Sequence, residues 1–294
     1  MEPLRTLLFV PANRQRLLDK APTLGADALL LDLEDAVPLA EKEAARRMAQ
    51  AYLPTITGQP VWVRVNAVAS GELAADLDAL VGVRGLAGIV LPKPEAPAEV
   101  LELDRLLRAR EAVRGLAPGS VPVILQIESA AGVLFAYPLA TAAARVVSVC
   151  FGGAEDGDLQ SDLGCGWSIE GPELLYARQH TLLAARAARL AWPLDGVFAN
   201  VRDADGFARD TQLSRRLGYR GRTVIHPSQI APANQLYSPS PAEVAYYRRV
   251  LEAFDAAVAQ GTASTTVDGK LVDYAMAERA RRVLALAARL GVTG

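Results

Sequence analysis

Eight short apolar runs recur along the first 227 residues, and segments with helical periodicity lie between them. The runs are rich in Val, Ile and Leu, and they occupy residues 6–11, 28–35, 61–66, 88–93, 122–129, 146–156, 195–201 and 221–227. Continuous apolar strands are typical of a parallel sheet that is covered on both faces. Intervening segments such as LAEKEAARRMAQAYL repeat their apolar residues at helical spacing. Eight strand–helix units predict an α/β fold, the (β/α)8 TIM barrel.

The chain continues beyond the eighth predicted strand. A Pro-rich start leads into the predicted helix SPSPAEVAYYRRVLEAFDAAVAQG, followed by the turn-prone TASTTVDGKLVD and a last helix, YAMAERARRVLALAARL. We therefore predict a catalytic barrel domain over residues 1–235 and a C-terminal helical extension or lid over residues 236–294. Its amphipathic helices could cover their own barrel or reach a neighbouring subunit.

Composition excludes several classes of partner. The net charge of −2 gives no broad basic surface for nucleic acid or an anionic membrane. No apolar run reaches the roughly 20 residues of a membrane span, and the N-terminal run is too short for a signal peptide. Cys150 and Cys165 form no CxxC motif. Two such cysteines fit a reducing compartment, so we expect a cytoplasmic protein.

Charged and polar residues end nearly every predicted strand. They are Glu34 and Asp35, Arg64 and Asn66, Lys93, Glu128, Glu155 and Asp156, Asn200, and His226. The carboxyl ends of barrel strands meet at one rim, where such enzymes carry their active sites. Acidic side chains at the ends of buried strands are costly unless something balances their charge. The pattern therefore predicts a functional rim.

The residue types at this rim indicate a hard cation. Many carboxylates and only two histidines favour Mg2+ over zinc. Glu128 and Asp156 end adjacent strands and could reach one ion, while Glu34 and Asp35 would hold metal-bound waters. Arg64 offers a planar fork for a substrate carboxylate. Nucleotide phosphoryl transfer has no support, because no P-loop and no GxGxxG follows the first strand.

Several segments, taken in order, resemble the citrate lyase beta subunit and the related malyl-CoA and citramalyl-CoA lyases of the HpcH/HpaI aldolase superfamily. They are LRTLLFVPANRQRLLDKA, GADALLLDLEDAVPLAEKEAAR, VWVRVN, GIVLPK, QIESAAGV, FGGAED, GPELLYAR and TVIHPSQI. The resemblance covers nearly the whole chain. It implies Mg2+ ligands at Glu128 and Asp156, a carboxylate-binding role for Arg64, and positions near the CoA moiety at Phe9, Arg14 and Lys20.

The C-terminal segment GKLVD resembles the lid motif of these lyases, in which an aspartate reaches the active site of the adjacent subunit. This implies a catalytic role for Asp273 and a homotrimer, or a hexamer built from trimers. An aspartate before YAMAERAR is also suited to cap that helix, and both roles can hold. His226 is an alternative acid–base group.

Two segments depart from the family pattern. GAEDGDLQSDLG carries extra residues, so Asp158 competes with Asp156 as a metal ligand, and no proline follows the lid aspartate. Trp167 in GCGWSIEG could line the acyl pocket or simply pack.

The resemblance implies an enzyme, a Mg2+-dependent carbon–carbon lyase. Its partners would be a 3-hydroxyacyl-CoA thioester, such as malyl-CoA, citramalyl-CoA or a citryl thioester, and a small keto acid or aldehyde acid. Two alternatives stay open: a thioester hydrolase on the same scaffold, and the subunit of a citrate lyase complex that acts on an acyl carrier protein.

Overall fold

Eight parallel strands close into a barrel in the computed structural model, which describes residues 3–294. The strands are β1 (Thr6–Pro11), β2 (Ala28–Asp32), β3 (Val61–Arg64), β4 (Leu86–Pro92), β5 (Val123–Ile127), β6 (Val146–Phe151), β7 (Leu194–Asp195) and β8 (Gly221–Val224). Each strand pairs with the next one in the chain, and β8 pairs with β1 to complete the ring. The predicted (β/α)8 barrel is confirmed.

Helices connect the strands and surround the barrel. They are α1 (Gln15–Lys20), α2 (Lys42–Tyr52), α3 (Leu73–Leu80), α4 (Pro97–Val113), α5 (Ala130–Leu134), α6 (Ala136–Thr141), α7 (Asp158–Leu163), α8 (Pro172–Ala187), α9 (Ala204–Leu217) and α10 (Ile230–Tyr237). Short 3₁₀ turns occupy Ala21–Leu24, Leu39–Glu41, Leu53–Thr55, Val68–Ser70 and Pro227–Gln229. Every residue of β2, β3, β5 and β8 is buried, as expected for parallel strands covered on both faces.

Every strand except β1 ends earlier than the sequence predicts, so most rim residues lie on loops. The largest difference is β7, which has two residues although the apolar run continues to Val201. Side chains replace strand pairing beyond Asp195. Arg222 donates from Nε and Nη2 to the Gly196 carbonyl at 3.1 and 2.8 Å, and Gln229 Nε2 donates to the Phe198 carbonyl at 2.8 Å. The carbonyl groups of Gly196 and Phe198 therefore have hydrogen-bond donors although this segment does not pair with a neighbouring strand.

The chain divides into two compact units, Met1–Asn234 and Gln235–Gly294. The second unit contains α11 (Pro241–Ala259), the antiparallel strands β9 (Thr265–Val267) and β10 (Lys270–Val272), and α12 (Tyr274–Arg289). A small core forms where α11, β10 and α12 pack together, made of Tyr247, Val250, Phe254, Val272, Ala277 and Ala280. Ser240 and Glu243 form a capping box at the start of α11.

No helix within residues 3–294 is both long enough and apolar enough to cross a membrane.

Candidate active site

A cavity of about 450 Å3 opens at the carboxyl ends of the barrel strands. Its walls come from the ends of β1, β2, β3, β5, β6, β7 and β8 and the loops that follow them. The lining includes Phe9, Asp32, Asp35, Arg64, Gln126, Glu128, Cys150, Asp158, Gly196 and Thr223. Of the residues predicted to form the rim, Asp35, Arg64 and Glu128 line this space, which is large enough for a small organic acid.

Arg64 is buried at this cavity and is held in one orientation by Asp32. The two residues are register partners on β2 and β3, so their side chains lie side by side. Arg64 Nε and Nη2 donate to Asp32 Oδ1 and Oδ2 at 2.8 and 2.7 Å, and its guanidinium stacks on the Phe9 ring, 4.8 Å from the centroid. Burial by itself lowers the pKa of Arg64, but the carboxylates of Asp32, Glu34 and Glu128 together outweigh this effect and raise the pKa. The charge is therefore permanent.

Glu128 is a buried carboxylate with an unused acceptor. Oε2 accepts a hydrogen bond from Gln126 Nε2 at 2.7 Å, whereas Oε1 has no hydrogen-bond partner among the described residues. Burial raises the pKa of Glu128 to about 7, even though Arg64 acts in the opposite direction. An added Cβ at Gly152 would come within 2.5 Å of Glu128 Cβ, so only glycine leaves room for this side chain.

Lys93 gathers the acidic side chains on the other side of the rim. Its Nζ lies 2.9 Å from Glu34 Oε1, 3.0 Å from Asp35 Oδ2 and 3.3 Å from Asp158 Oδ2. Glu34 also approaches Arg64, with Oε2 3.0 Å from Nη1, but not in hydrogen-bonding geometry. Burial raises the pKa of Glu34, and the two cations only partly offset that effect. Five carboxylates, counting Asp32 and Glu128, share two cationic side chains here.

The two candidate aspartates after β6 differ in position. Asp156 is exposed, does not line the cavity and has a left-handed backbone with φ of 57°. Its N–H donates to Gln160 Oε1 at 2.7 Å. Asp158, the first residue of α7, lines the cavity together with Glu128.

A second layer of polar side chains fixes the loop that carries Glu34. Lys42 on α2 donates from Nζ to the carbonyls of Leu33 and Glu34 at 2.8 and 3.0 Å and to Asn66 Oδ1 at 2.5 Å. Asn66 in turn donates its N–H and Nδ2 to Asp76, both at 2.7 Å. By binding the carbonyl oxygens of Leu33 and Glu34, the Lys42 ammonium fixes the backbone that carries the Glu34 side chain.

Arg14, Lys20, Trp167 and His226 are not among the residues that line the cavity. Arg14 is exposed, with Nη1 3.8 Å from Glu41 Oε2, and Lys20 is exposed at the end of α1. Asp273 belongs to the second unit and caps α12 by accepting from the Met276 N–H at 3.1 Å. Trp167 packs edge-on against Phe198 with centroids 6.0 Å apart, and His226 is exposed with Nδ1 2.8 Å from Ser228 Oγ.

Sequence reasoning missed Asp32, Gln126 and Lys42. Asp32 ends the apolar run LLLD, and this buried acid at a strand end was its one available signal. Gln126 and Lys42 gave no comparable signal, because a glutamine inside a strand and a lysine near a helix start are common on their own.

Known proteins match the chain over nearly its full length. The family model described as HpcH/HpaI aldolase/citrate lyase matches residues 5–227. The citrate lyase subunit beta of Leuconostoc mesenteroides subsp. cremoris is 37% identical over 285 residues, which cover 96% of this chain and 93% of that protein. A (3S)-malyl-CoA thioesterase of Cereibacter sphaeroides is 35% identical over 287 residues, 97% of this chain and 95% of that protein.

Among solved structures, the protein CitE from Mycobacterium tuberculosis in complex with magnesium, acetoacetate and coenzyme A resembles this chain with a TM-score of 0.78. The two are 31% identical, and the match covers 97% of this chain and 98% of that chain.

Proposed function

The chain belongs to the HpcH/HpaI aldolase/citrate lyase family, and from this premise we propose that it is a Mg2+-dependent carbon–carbon lyase. Its substrate is a 3-hydroxyacyl-CoA thioester, such as malyl-CoA, citramalyl-CoA or a citryl thioester. The products are an acyl-CoA and a small keto acid or aldehyde acid. One observation carries the proposal: the buried Glu128, with an unpartnered oxygen, shares a cavity with the buried Arg64.

The side chains at the cavity fit a divalent cation. Glu128 Oε1 lacks a donor, and the surrounding carboxylates outnumber the cations. No group of three His, Cys, Asp or Glu side chains within residues 3–294 could hold a metal ion by itself. That pattern suits Mg2+, which keeps several waters and uses one or two carboxylates together with the substrate. Glu128 would hold the ion with Asp156, and Asp158 is the alternative second ligand.

The protein's own groups bind and orient the substrate. When bound, Mg2+ supplies Lewis-acid stabilisation of negative charge on the substrate oxygens. Arg64 binds the carboxylate of the keto-acid half through the N–H groups that Asp32 leaves free. Glu34 and Asp35 accept hydrogen bonds from waters at the rim.

A proton must be delivered after the carbon–carbon bond breaks. The substrate hydroxyl gives up its proton to water at the rim, and its oxygen becomes the carbonyl oxygen of the other product. As the carbon–carbon bond breaks, its electron pair moves onto the α-carbon of the acyl thioester. The resulting enolate then takes up a proton. We assign that proton to Asp273 of a neighbouring subunit in a homotrimer or hexamer.

The comparisons also support two related activities. The (3S)-malyl-CoA thioesterase relative favours hydrolysis of the thioester on the same scaffold. The citrate lyase subunit beta relative favours membership of a citrate lyase complex, for which our alternative substrate is a citryl group carried by an acyl carrier protein.

Product analysis separates these activities. The purified protein is incubated with malyl-, citramalyl- and citryl-CoA in the presence of Mg2+, and keto acid and free CoA thiol are measured together. A lyase releases keto acid while the thioester survives, whereas a hydrolase releases thiol without keto acid. Activity on the citryl-acyl carrier protein alone would assign the chain to a citrate lyase complex.

Glu128→Gln is the matched variant for this experiment, because it preserves shape and removes the charge. We expect it to lose Mg2+-dependent turnover while remaining folded, and EDTA should have the same effect on the wild type. Full activity in EDTA, or in Glu128→Gln, would refute the metal-dependent mechanism.

A further inference from the structure

Lys93 has an unusual backbone conformation for a side chain at the end of a strand. Its φ is 53°, in the left-handed region that residues with a Cβ rarely adopt. This conformation follows β4 directly and accompanies an ammonium placed among three carboxylates. Strained backbone that persists in a folded protein often marks a functional position.

The contacts of Lys93 join three loops of the rim. Glu34 and Asp35 follow β2, Lys93 follows β4, and Asp158 begins the helix after β6. Asp35 is held through both carboxylate oxygens, at 3.0 and 3.2 Å. For Asp158, the described residues provide one ion pair, the 3.3 Å contact with Lys93.

Asp158 can therefore interact with two cations, the Lys93 ammonium and a divalent metal ion. It lines the cavity with Glu128, where a divalent ion fits, and it neutralises Lys93 from the rim. A carboxylate shared by two cations forces them close together. The Asp158 side chain is 51% exposed, so solvent weakens the repulsion between the two positive charges without abolishing it at such short range. An ion that uses Asp158 must overcome that repulsion or displace the ammonium.

We propose that Lys93 competes with the metal ion for Asp158 and thereby sets the affinity of the site for a divalent cation. This inference rests on the proposed Mg2+-dependent function, and it takes Asp158, the alternative second ligand, as the residue that binds the ion with Glu128. Lys93 lowers the affinity of the rim carboxylates for the divalent cation. The ion is therefore bound less tightly than these carboxylates would bind it without Lys93. The alternative, in which Lys93 only holds the rim loops together, predicts the opposite sign: removing it would then disorder the ligands and weaken binding.

The test measures metal binding rather than turnover. The dissociation constant of Mg2+ is determined by calorimetry at fixed ionic strength without substrate, and competition with Mn2+ followed by electron spin resonance gives an independent value. The variants are Lys93→Met, Asp158→Asn, their double mutant and Glu128→Gln. Arg47→Met is the charge-matched control, because Arg47 is exposed on α2 and pairs with Glu43.

Lys93→Met should tighten Mg2+ binding by about tenfold or more, and Asp158→Asn should weaken it. In the Asp158→Asn background, Lys93→Met should change the constant by less than about threefold, since the shared carboxylate is gone. Arg47→Met should stay within about twofold of the wild type. If Lys93→Met does not fold, Lys93→Gln provides the same comparison with a side chain that can still hydrogen-bond.

Unchanged or weaker binding in a folded Lys93→Met protein would overturn the inference, and so would an undiminished effect in the Asp158→Asn background. Equal Mg2+ binding by wild type and Glu128→Gln is a different result. It would refute the proposed metal site itself, and this inference with it.

Discussion

At the scale of single residues, the candidate site depends on how Arg64 is held. Asp32 occupies the Nε edge of the guanidinium and leaves N–H groups on Nη1 and Nη2 for a ligand. The ring of Phe9 supports the guanidinium from one face. A planar fork fixed in this way is prepared to bind a carboxylate through two parallel hydrogen bonds.

Arg64→Lys should therefore weaken binding of a small keto acid although the positive charge remains. A lysine ammonium cannot bond to Asp32 and a ligand carboxylate with the same planar geometry. We expect a loss of about 1.5–3 kcal/mol, the range for a hydrogen bond to a charged group. Calorimetry with glyoxylate or pyruvate in the presence of Mg2+ measures it, and an unchanged affinity would exclude this role for Arg64.

Asp156→Ala and Asp158→Ala compare the two possible second ligands. The family resemblance favours Asp156, whereas the cavity lining favours Asp158. The variant that removes the true ligand should show the larger loss of Mg2+-dependent activity and the larger rise in the Mg2+ dissociation constant. Two variants with wild-type metal affinity would show that neither aspartate binds the ion.

At the scale of elements, a buried cluster of ion pairs holds the short strand β7 and the loop after it in place. Arg178 donates from Nε to Asp195 Oδ2 at 2.9 Å and from Nη1 to Asp210 Oδ1 at 2.9 Å. Arg222 Nη2 lies 2.9 Å from Asp210 Oδ2 and also binds the Gly196 carbonyl. The cluster thus joins β7, β8, α8 and α9, and through Arg222 it holds Gly196, which lines the cavity.

Arg222→Met should cost about 3–5 kcal/mol of folding free energy, because it removes one partner of a buried ion pair and leaves the Gly196 carbonyl without its donors. Urea unfolding measures the change. Arg105→Met, which breaks an exposed pair with Glu102 on α4, is the control and should cost about 0.5 kcal/mol or less. A similar small cost for Arg222→Met would show that the cluster is dispensable.

A second buried carboxylate ties α4 to the start of β6. Glu111 accepts from Arg145 Nη1 and Nη2 at 2.8 and 3.0 Å and from the N–H groups of Gly119 and Val121. Burial by itself raises the pKa of Glu111, but the hydrogen bonds from Arg145 and the two backbone donors outweigh it and lower the pKa to about 2.

A lowered carboxyl pKa stabilises the folded state above the unfolded-state value, so this contribution should disappear as the pH falls from about 4.5 towards 2. The difference between a pKa of 4.5 in the unfolded chain and about 2 in the folded protein corresponds to about 3 kcal/mol of folding free energy at neutral pH. Glu111→Gln should lower the free energy of unfolding by about that amount at neutral pH, with a difference that shrinks in acid. Urea titrations of both proteins at several pH values test this, and a difference independent of pH would contradict it.

At the scale of the whole molecule, the second unit raises the question of which active site Asp273 serves. The structure shows Asp273 as the N-cap of α12. Its second role, as the acid of a neighbouring subunit's site, is our proposal. Asparagine caps helices about as well as aspartate but carries no acid, so Asp273→Asn separates the two roles.

Asp273→Asn and Glu128→Gln should each be nearly inactive, and mixing them should restore part of the activity. Mixed oligomers contain some sites that combine an intact Glu128 with an intact Asp273 from another chain. The two proteins are co-refolded, their mixing is confirmed with differently tagged chains, and turnover is measured. No recovery in demonstrably mixed oligomers would mean that Asp273 serves its own subunit or acts only as a cap.

The sequence by itself determined the barrel and indicated part of the rim. Burial on both faces of parallel strands demands continuous apolar runs, and eight of them between helical segments leave few other folds. Acidic residues and an arginine at the ends of the predicted strands identify Glu34, Asp35, Arg64 and Glu128 from the sequence alone. These patterns can be recognised in the sequence because they depend only on local composition and on where a strand ends.

Only the tertiary structure decided which of these groups meet. Asp32 holds Arg64 because the register of β2 against β3 places them side by side, and no local pattern encodes that register. Asp158 rather than Asp156 lines the cavity because a left-handed turn at Asp156 precedes α7. Lys93 joins three loops that are far apart in the chain. Such contacts depend on backbone angles and strand pairing, which the whole fold fixes.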